Sequence, residues 1–130
     1  MASPISGRPI STPYKKAGKM WSKGYHTGID IACPVGTPIM ATSDQTVVNA
    51  NWGRSYGNQI VVRLADGNFW IYAHLSEVNV KAGDVLKRGQ VIGKSGNTGN
   101  SSGPHLHCEK RNNIRWSAGQ DLDPMSEFNS

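Results

Sequence analysis

Short stretches in which apolar and polar residues alternate run through most of the chain. In the first of them Ile29 and Ile31 alternate with His26, Gly28 and Asp30. Successive side chains of a β-strand point to opposite faces, so this pattern predicts a strand with an apolar face toward the core. His26 and Asp30 then share the other face, and we expect Gly28 between them to leave space for a ligand.

Similar stretches predict further short strands separated by turns. These strands are residues 39–42, 46–50, 59–64, 69–75, 85–86, 91–93 and 105–110. The Asp66-Gly67 pair between two of them is a strong hairpin signal. The 15 glycines and 7 prolines favour many short strands over a helical bundle, and no segment has the pattern of a long helix. The sequence therefore predicts a compact, mainly β fold.

Two of the four histidines, His105 and His107, lie two residues apart in the last of these strands. Their side chains should project from one face, and a loop of turn-forming residues, 96–103, leads into the strand. On its own, such a pair is more often part of an exposed strand face than a pair of metal ligands.

The histidine pair is stronger evidence for a metal site when it is combined with His26 and Asp30. Catalytic zinc sites use three protein ligands and keep a fourth position for water. His26, Asp30 and one histidine of the pair would supply the ligands, and the two remaining histidines could transfer a proton and donate a hydrogen bond to an oxyanion. A structural metal site and unrelated histidines remain alternatives, and the chain has no His-Glu-x-x-His motif.

The net charge of +5 and the pI near 9.4 favour anionic partners such as nucleic acid, acidic lipids or bacterial wall polymers. There is no Lys/Arg block or nucleic-acid-binding motif, so we expect no specific nucleic-acid partner. No apolar run approaches the roughly 20 residues that span a bilayer, and we expect no membrane insertion. No signal peptide is visible, which predicts a cytosolic protein, one exported by another route such as host lysis, or an excised domain.

Three separated motifs are recognisable: His-Thr-Gly-Ile-Asp at 26–30, Tyr-Ala-His-Leu at 72–75 and Gly-Pro-His-Leu-His at 103–107. With them the chain resembles the lysostaphin/LytM-type zinc endopeptidases, which cut peptidoglycan peptides. The resemblance extends over nearly the whole chain through residues 81–93, 95–100 and 122–124. It implies a twisted antiparallel sheet with little helix and a narrow groove walled by loops. We expect a single catalytic domain over residues 1–130, in which residues 1–24 form an extended segment.

The resemblance also implies one zinc ion per chain, bound by His26, Asp30 and His107. His105 would be the general base, and His74 would position water or stabilise the oxyanion; the division of roles between these two histidines stays open. The groove walls would be residues 52–58, 95–103 and 111–118. Candidates for substrate contacts are the polar loop residues Asn58, Asn97, Asn100 and Ser101. Each of these four could equally be a turn former.

The function implied is that of a zinc-dependent endopeptidase that hydrolyses crosslink or stem-peptide bonds of bacterial peptidoglycan. A zinc-bound water would attack the scissile carbonyl with the help of two histidines. The protein would act as a monomer at the cell wall, as a bacteriolytic enzyme of the endolysin, autolysin or bacteriocin type, and anionic wall polymers would attract it. One rival is a catalytically inactive family member that binds and regulates other wall hydrolases, although all five site positions are filled. The other is a basic nucleic-acid binder, whose binding would depend steeply on salt.

The two cysteines, Cys33 and Cys108, are expected behind the metal face. Cys108 should point opposite to His107, and Cys33 opposite to Asp30 if the first strand extends that far. We therefore expect no cysteine ligand to the metal. Buried free thiols are the first hypothesis and a Cys33–Cys108 disulfide is the second.

Overall fold

The computed structural model describes residues 4–5, 28–52, 56–99, 103–111 and 121–122. The strands in these ranges are β1 Ile29–Ala32, β2 Pro38–Met40, β3 Gln45–Trp52, β4 Asn58–Arg63, β5 Phe69–Val78, β6 Val85–Leu86, β7 Val91–Ser95, β8 His105–Arg111 and β9 Asp121–Leu122. None of the residues in these ranges belongs to an α-helix. The prediction of a mainly β fold with little helix is confirmed, whereas nearly all of residues 1–24 lie outside the described part of the chain.

The strands form one antiparallel sheet in the order β1-β8-β5-β4-β3-β6. Beside this path, β7 pairs with both β2 and β5, and β9 pairs with β8. The arrangement places β8 between β1 and β5, although the three strands are far apart in the sequence. The motifs that carry Asp30, His74 and the His-x-His pair therefore lie on neighbouring strands.

The apolar core lies against one face of the three strands β1, β5 and β8. Ile29, Ile31 and Leu106 are buried in it, as the alternating pattern predicts. Tyr72 is also fully buried; its hydroxyl donates a hydrogen bond to Gln45 Oε1 at 2.9 Å and accepts one from the Thr42 amide at 3.2 Å. Tyr72 is therefore a core residue.

Both cysteines lie in this core as free, buried thiols. Cys108 pairs with Ile29 across β1 and β8, on the face opposite to His107. Burial raises the pKa of the Cys108 thiol well above its ordinary value. The first of the two hypotheses for the cysteines agrees with the structure.

Gly28 does not leave room for a ligand, and this expectation was wrong. A Cβ atom at Gly28 would collide with the backbone carbonyl of Cys108 and would lie 2.7 Å from Cγ of Glu109. The absent side chain thus allows strand β8 to pack closely beside the start of β1.

The part of the chain that the structure describes contains no helix that is long and apolar enough to cross a membrane.

Candidate metal centre

Asp30 and His107 are brought together by the register of two neighbouring strands. They are paired residues of β1 and β8, and Asp30 Oδ1 lies 2.6 Å from His107 Nδ1. His105 Nε2 lies 3.6 Å from the same carboxylate oxygen. His26, the other predicted ligand, lies outside the described residues.

His74 reaches this cluster from the other side, because β5 also pairs with β8. Its ring centroid lies 4.8 Å from that of His105 and 5.8 Å from that of His107. His74 has a φ of 64°, a left-handed conformation that is uncommon for any residue other than glycine. The predicted catalytic pair, His74 and His105, is therefore adjacent in space.

Backbone carbonyls fix the proton positions of these two imidazoles. Nδ1 of His74 donates to the carbonyl of Thr98, and Nδ1 of His105 donates to the carbonyl of Gly103, both at 2.7 Å. A carbonyl oxygen only accepts, so in each neutral ring Nε2 carries the lone pair. Burial lowers the pKa of His74 to about 4, which keeps that ring neutral at pH 7. Neutral His74 can therefore accept a hydrogen bond or a proton through Nε2, but it cannot donate one there.

Glu109 is a site residue that the sequence analysis missed. Its Oε2 lies 2.8 Å from His107 Nε2, and its Oε1 accepts a hydrogen bond from Arg111 at 2.7 Å. Burial alone lowers the pKa of His107, but hydrogen bonds to Asp30 and Glu109 outweigh it and raise that pKa to about 9. Strand alternation could have found Glu109, because it follows His107 by two residues and therefore shares its face.

The predicted substrate contacts are only partly described. Asn58 donates from its side-chain amide to the carbonyl of Leu75 at 3.1 Å, and its backbone amide donates to Thr98 Oγ1 at 3.1 Å. These bonds tie the start of β4 to the loop that follows β7, and they use one of the two N–H donors of the Asn58 side chain. Asn97 is exposed in that loop. Asn100 and Ser101 lie outside the described residues, as do large parts of the three predicted groove walls, so the groove stays a prediction.

The donor atoms present suit a zinc ion. No group of three or more metal-binding side chains that could hold an ion is found in the described ranges, which do not include His26. Within them, one carboxylate oxygen and one imidazole nitrogen converge, and both are ligands that zinc accepts. The second nitrogen of His107 contacts a carboxylate, as in most metal-binding histidines.

An antiparallel sheet that presents the carboxylates of Asp30 and Glu109 and three imidazoles on a single face suits a protein of the metal-dependent hydrolase type. Residues 24–124 match the model of peptidase family M23, and the chain belongs to this family.

One relative and two solved structures illustrate the similarity. The chain is 45% identical over 125 residues to the DD-carboxypeptidase/endopeptidase Mpg of Neisseria meningitidis serogroup B, which covers 95% of this chain and 28% of Mpg. The catalytic domain of the antimicrobial peptidase lysostaphin from Staphylococcus simulans superposes with a TM-score of 0.88 at 37% identity, over 100% of both chains. A zinc containing peptidase from Vibrio cholerae gives a TM-score of 0.75 at 33% identity, over 83% of this chain and 35% of that one. The chain thus spans little more than a quarter of the length of Mpg.

Proposed function

We propose that the protein is a zinc-dependent endopeptidase that hydrolyses peptide bonds of bacterial peptidoglycan. The observation that carries the proposal is the convergence of Asp30 Oδ1 and His107 Nδ1 at 2.6 Å, beside the imidazole rings of His74 and His105. Membership of peptidase family M23 and the similarity to lysostaphin support the same conclusion.

In this proposal His26, Asp30 and His107 hold one zinc ion, which when bound acidifies water and polarises a carbonyl oxygen. His105 accepts a proton from the attacking water at Nε2 and passes it to the leaving nitrogen. His74 accepts a hydrogen bond from the same water through its own Nε2 and so orients it. The protonation pattern of neutral His74 favours this role over donation to an oxyanion.

The setting we propose is the bacterial cell wall, where the protein acts as a lytic enzyme. Its net charge of +5 would increase its local concentration near anionic wall polymers. All five positions of the proposed site are filled in the sequence, which argues against an inactive regulator.

The test is mass spectrometry of purified peptidoglycan after incubation with the protein as prepared, after chelation, and after addition of stoichiometric zinc. New peptide termini that disappear with the chelator and return with zinc are expected, and their masses identify the bond. Walls of several crosslink types would be compared in parallel. If zinc is bound and none of these walls yields new termini, the proposal is refuted.

A further inference from the structure

A row of buried charged side chains continues beyond the proposed metal ligands along one face of β8. His107, Glu109 and Arg111 alternate along the strand, and each contacts the next through its side chain. Glu109 is 0% and Arg111 1% exposed. Asp30 closes the row at the other end through Nδ1 of His107.

The two carboxylate oxygens of Glu109 have different partners. Oε2 lies 2.8 Å from Nε2 of His107, and Oε1 accepts from Nη1 of Arg111. A carboxylate at full burial is stable only when it is paired, because loss of hydration costs several kcal/mol. Arg111 supplies that pairing, so that Glu109 can remain an anion directly behind the imidazole.

This contact determines which nitrogen of His107 is available to a metal. When Nε2 carries its proton toward Glu109, the lone pair of the neutral ring is on Nδ1, which faces Asp30. The ring of Tyr56 stacks on that of His107, with centroids 6.1 Å apart and an angle of 23° between the planes. Ala73, the cross-strand partner of His107, is also fully buried. The ring is therefore held from its edge and from its face.

We propose that Glu109, held in place by Arg111, is a positioning residue that presents Nδ1 of His107 to the zinc ion. The inference rests on the proposed function, because it takes His107 as a zinc ligand. Removal of the carboxylate should weaken zinc binding about 10- to 100-fold, the usual effect of losing the hydrogen-bond partner of a ligand histidine.

The experiment compares the wild-type chain with three variants: Glu109→Gln, the double variant Glu109→Leu/Arg111→Met, and the control Glu77→Gln. The double variant removes both buried charges together, so that Arg111 is not left unpaired in the sheet. Glu77 lies on β5 with its side chain about half exposed, and its replacement tests the loss of a negative charge alone. Circular dichroism establishes that each variant is folded before zinc is added.

Two readouts are independent of turnover. Competition with a chromogenic chelator gives the zinc dissociation constant, and long-range ¹H–¹⁵N spectra identify which nitrogen of His107 is protonated in the zinc-bound protein. We expect weaker binding for Glu109→Gln, a larger loss for the double variant together with mixed use of the two ring nitrogens, and no change for Glu77→Gln. A folded double variant that binds zinc through Nδ1 with the wild-type constant would overturn the inference and leave the proposed function intact. Failure of the wild-type chain to bind zinc would overturn both.

Discussion

Replacement of Gly57 by alanine should disturb the sheet face that carries the proposed site, although Gly57 is not one of the proposed site residues. Gly57 has a φ of +65°, and a Cβ atom there would lie 2.5 Å from the carbonyl carbon of Thr98 and 2.6 Å from the amide nitrogen of Gly99. The carbonyl of Thr98 is the acceptor that holds Nδ1 of His74. The new methyl group must therefore push the segment that sets the orientation of His74.

The size of the effect follows from two separate contributions. A left-handed conformation costs an alanine about 1–2 kcal/mol relative to glycine. Overpacking against fixed backbone costs about 1–3 kcal/mol more. Gly67 provides a matched control, because it has a φ of +87° and no atom within 4 Å of the corresponding Cβ position. Gly57→Ala should thus lower the free energy of unfolding by roughly 2–5 kcal/mol, and Gly67→Ala by only about 1–2 kcal/mol.

Urea unfolding of both variants measures the stability difference, and turnover on peptidoglycan fragments measures the functional one. If the Thr98 carbonyl moves by about 1 Å, the rate should fall by up to about 100-fold while zinc stays bound. Gly67→Ala should retain the wild-type rate. Equal stability losses in the two variants would show that the predicted collision is relieved at no cost. A folded Gly57→Ala protein with the wild-type rate would refute the argument that this contact orients His74.

Three other outcomes are expected. Asp30→Asn should lose bound zinc, whereas His105→Ala should keep one zinc per chain and lose turnover by at least about 100-fold. Metal analysis and a rate assay on each variant check both expectations. Loss of zinc from His105→Ala would contradict this division of roles. In chelated protein the pKa of His107 is raised from 6.5 to about 9, so its contribution to stability is complete below pH 6.5 and is lost as the pH rises through 9. The pKa of His74 is lowered to about 4, so its contribution is lost as the pH falls from 6.5 toward 4. Urea midpoints should accordingly be highest near pH 6.5, and a midpoint that rises steadily between pH 7 and 9 would contradict the assignment for His107.

Much of the fold could be predicted from local alternation. Ile29 and Ile31 are buried in the core, as the period of two requires. The end of β5 could not be predicted, since the strand continues to Val78 through the exposed residues Ser76 and Glu77. Glu77 is held in the sheet by pairing with Lys94 of β7, and the Ser76 hydroxyl donates to the carbonyl of Ser95 at 2.8 Å. Such contacts leave little trace in a polar sequence.

Only part of the candidate site could be predicted from the sequence. Spacing brought Asp30 together with one histidine of the pair, the family resemblance indicated His107, and the structure pairs Asp30 with His107 across β1 and β8. Glu109 has the same spacing that singled out the histidine pair, but a carboxylate on a strand is usually exposed, and only the structure shows it buried against Arg111. Asn58 was predicted as a substrate contact from its place in a polar loop. Its bonds with Leu75 and Thr98 could not be predicted, because they join segments that are distant in the sequence.

His74 shows why alternation alone could not have built this site. Trp70 and Tyr72 point into the core, so an unbroken strand would send His74 to the core as well. Its left-handed backbone reverses the alternation. His74 joins the face that carries His105 and His107, Leu75 takes the core position, and the pairing of β5 with β7 shifts just afterwards. That backbone conformation costs about 1–2 kcal/mol. Two hydrogen bonds offset this cost: His74 Nδ1 donates to the carbonyl of Thr98, and Thr98 Oγ1 donates to the carbonyl of Leu75. Thr98 lies 23 residues or more from both partners in the sequence. With regular strand geometry at His74 the backbone would be more stable locally, but the imidazole would point away from the proposed metal site. Strand alternation therefore fails at a residue on which the proposed chemistry depends.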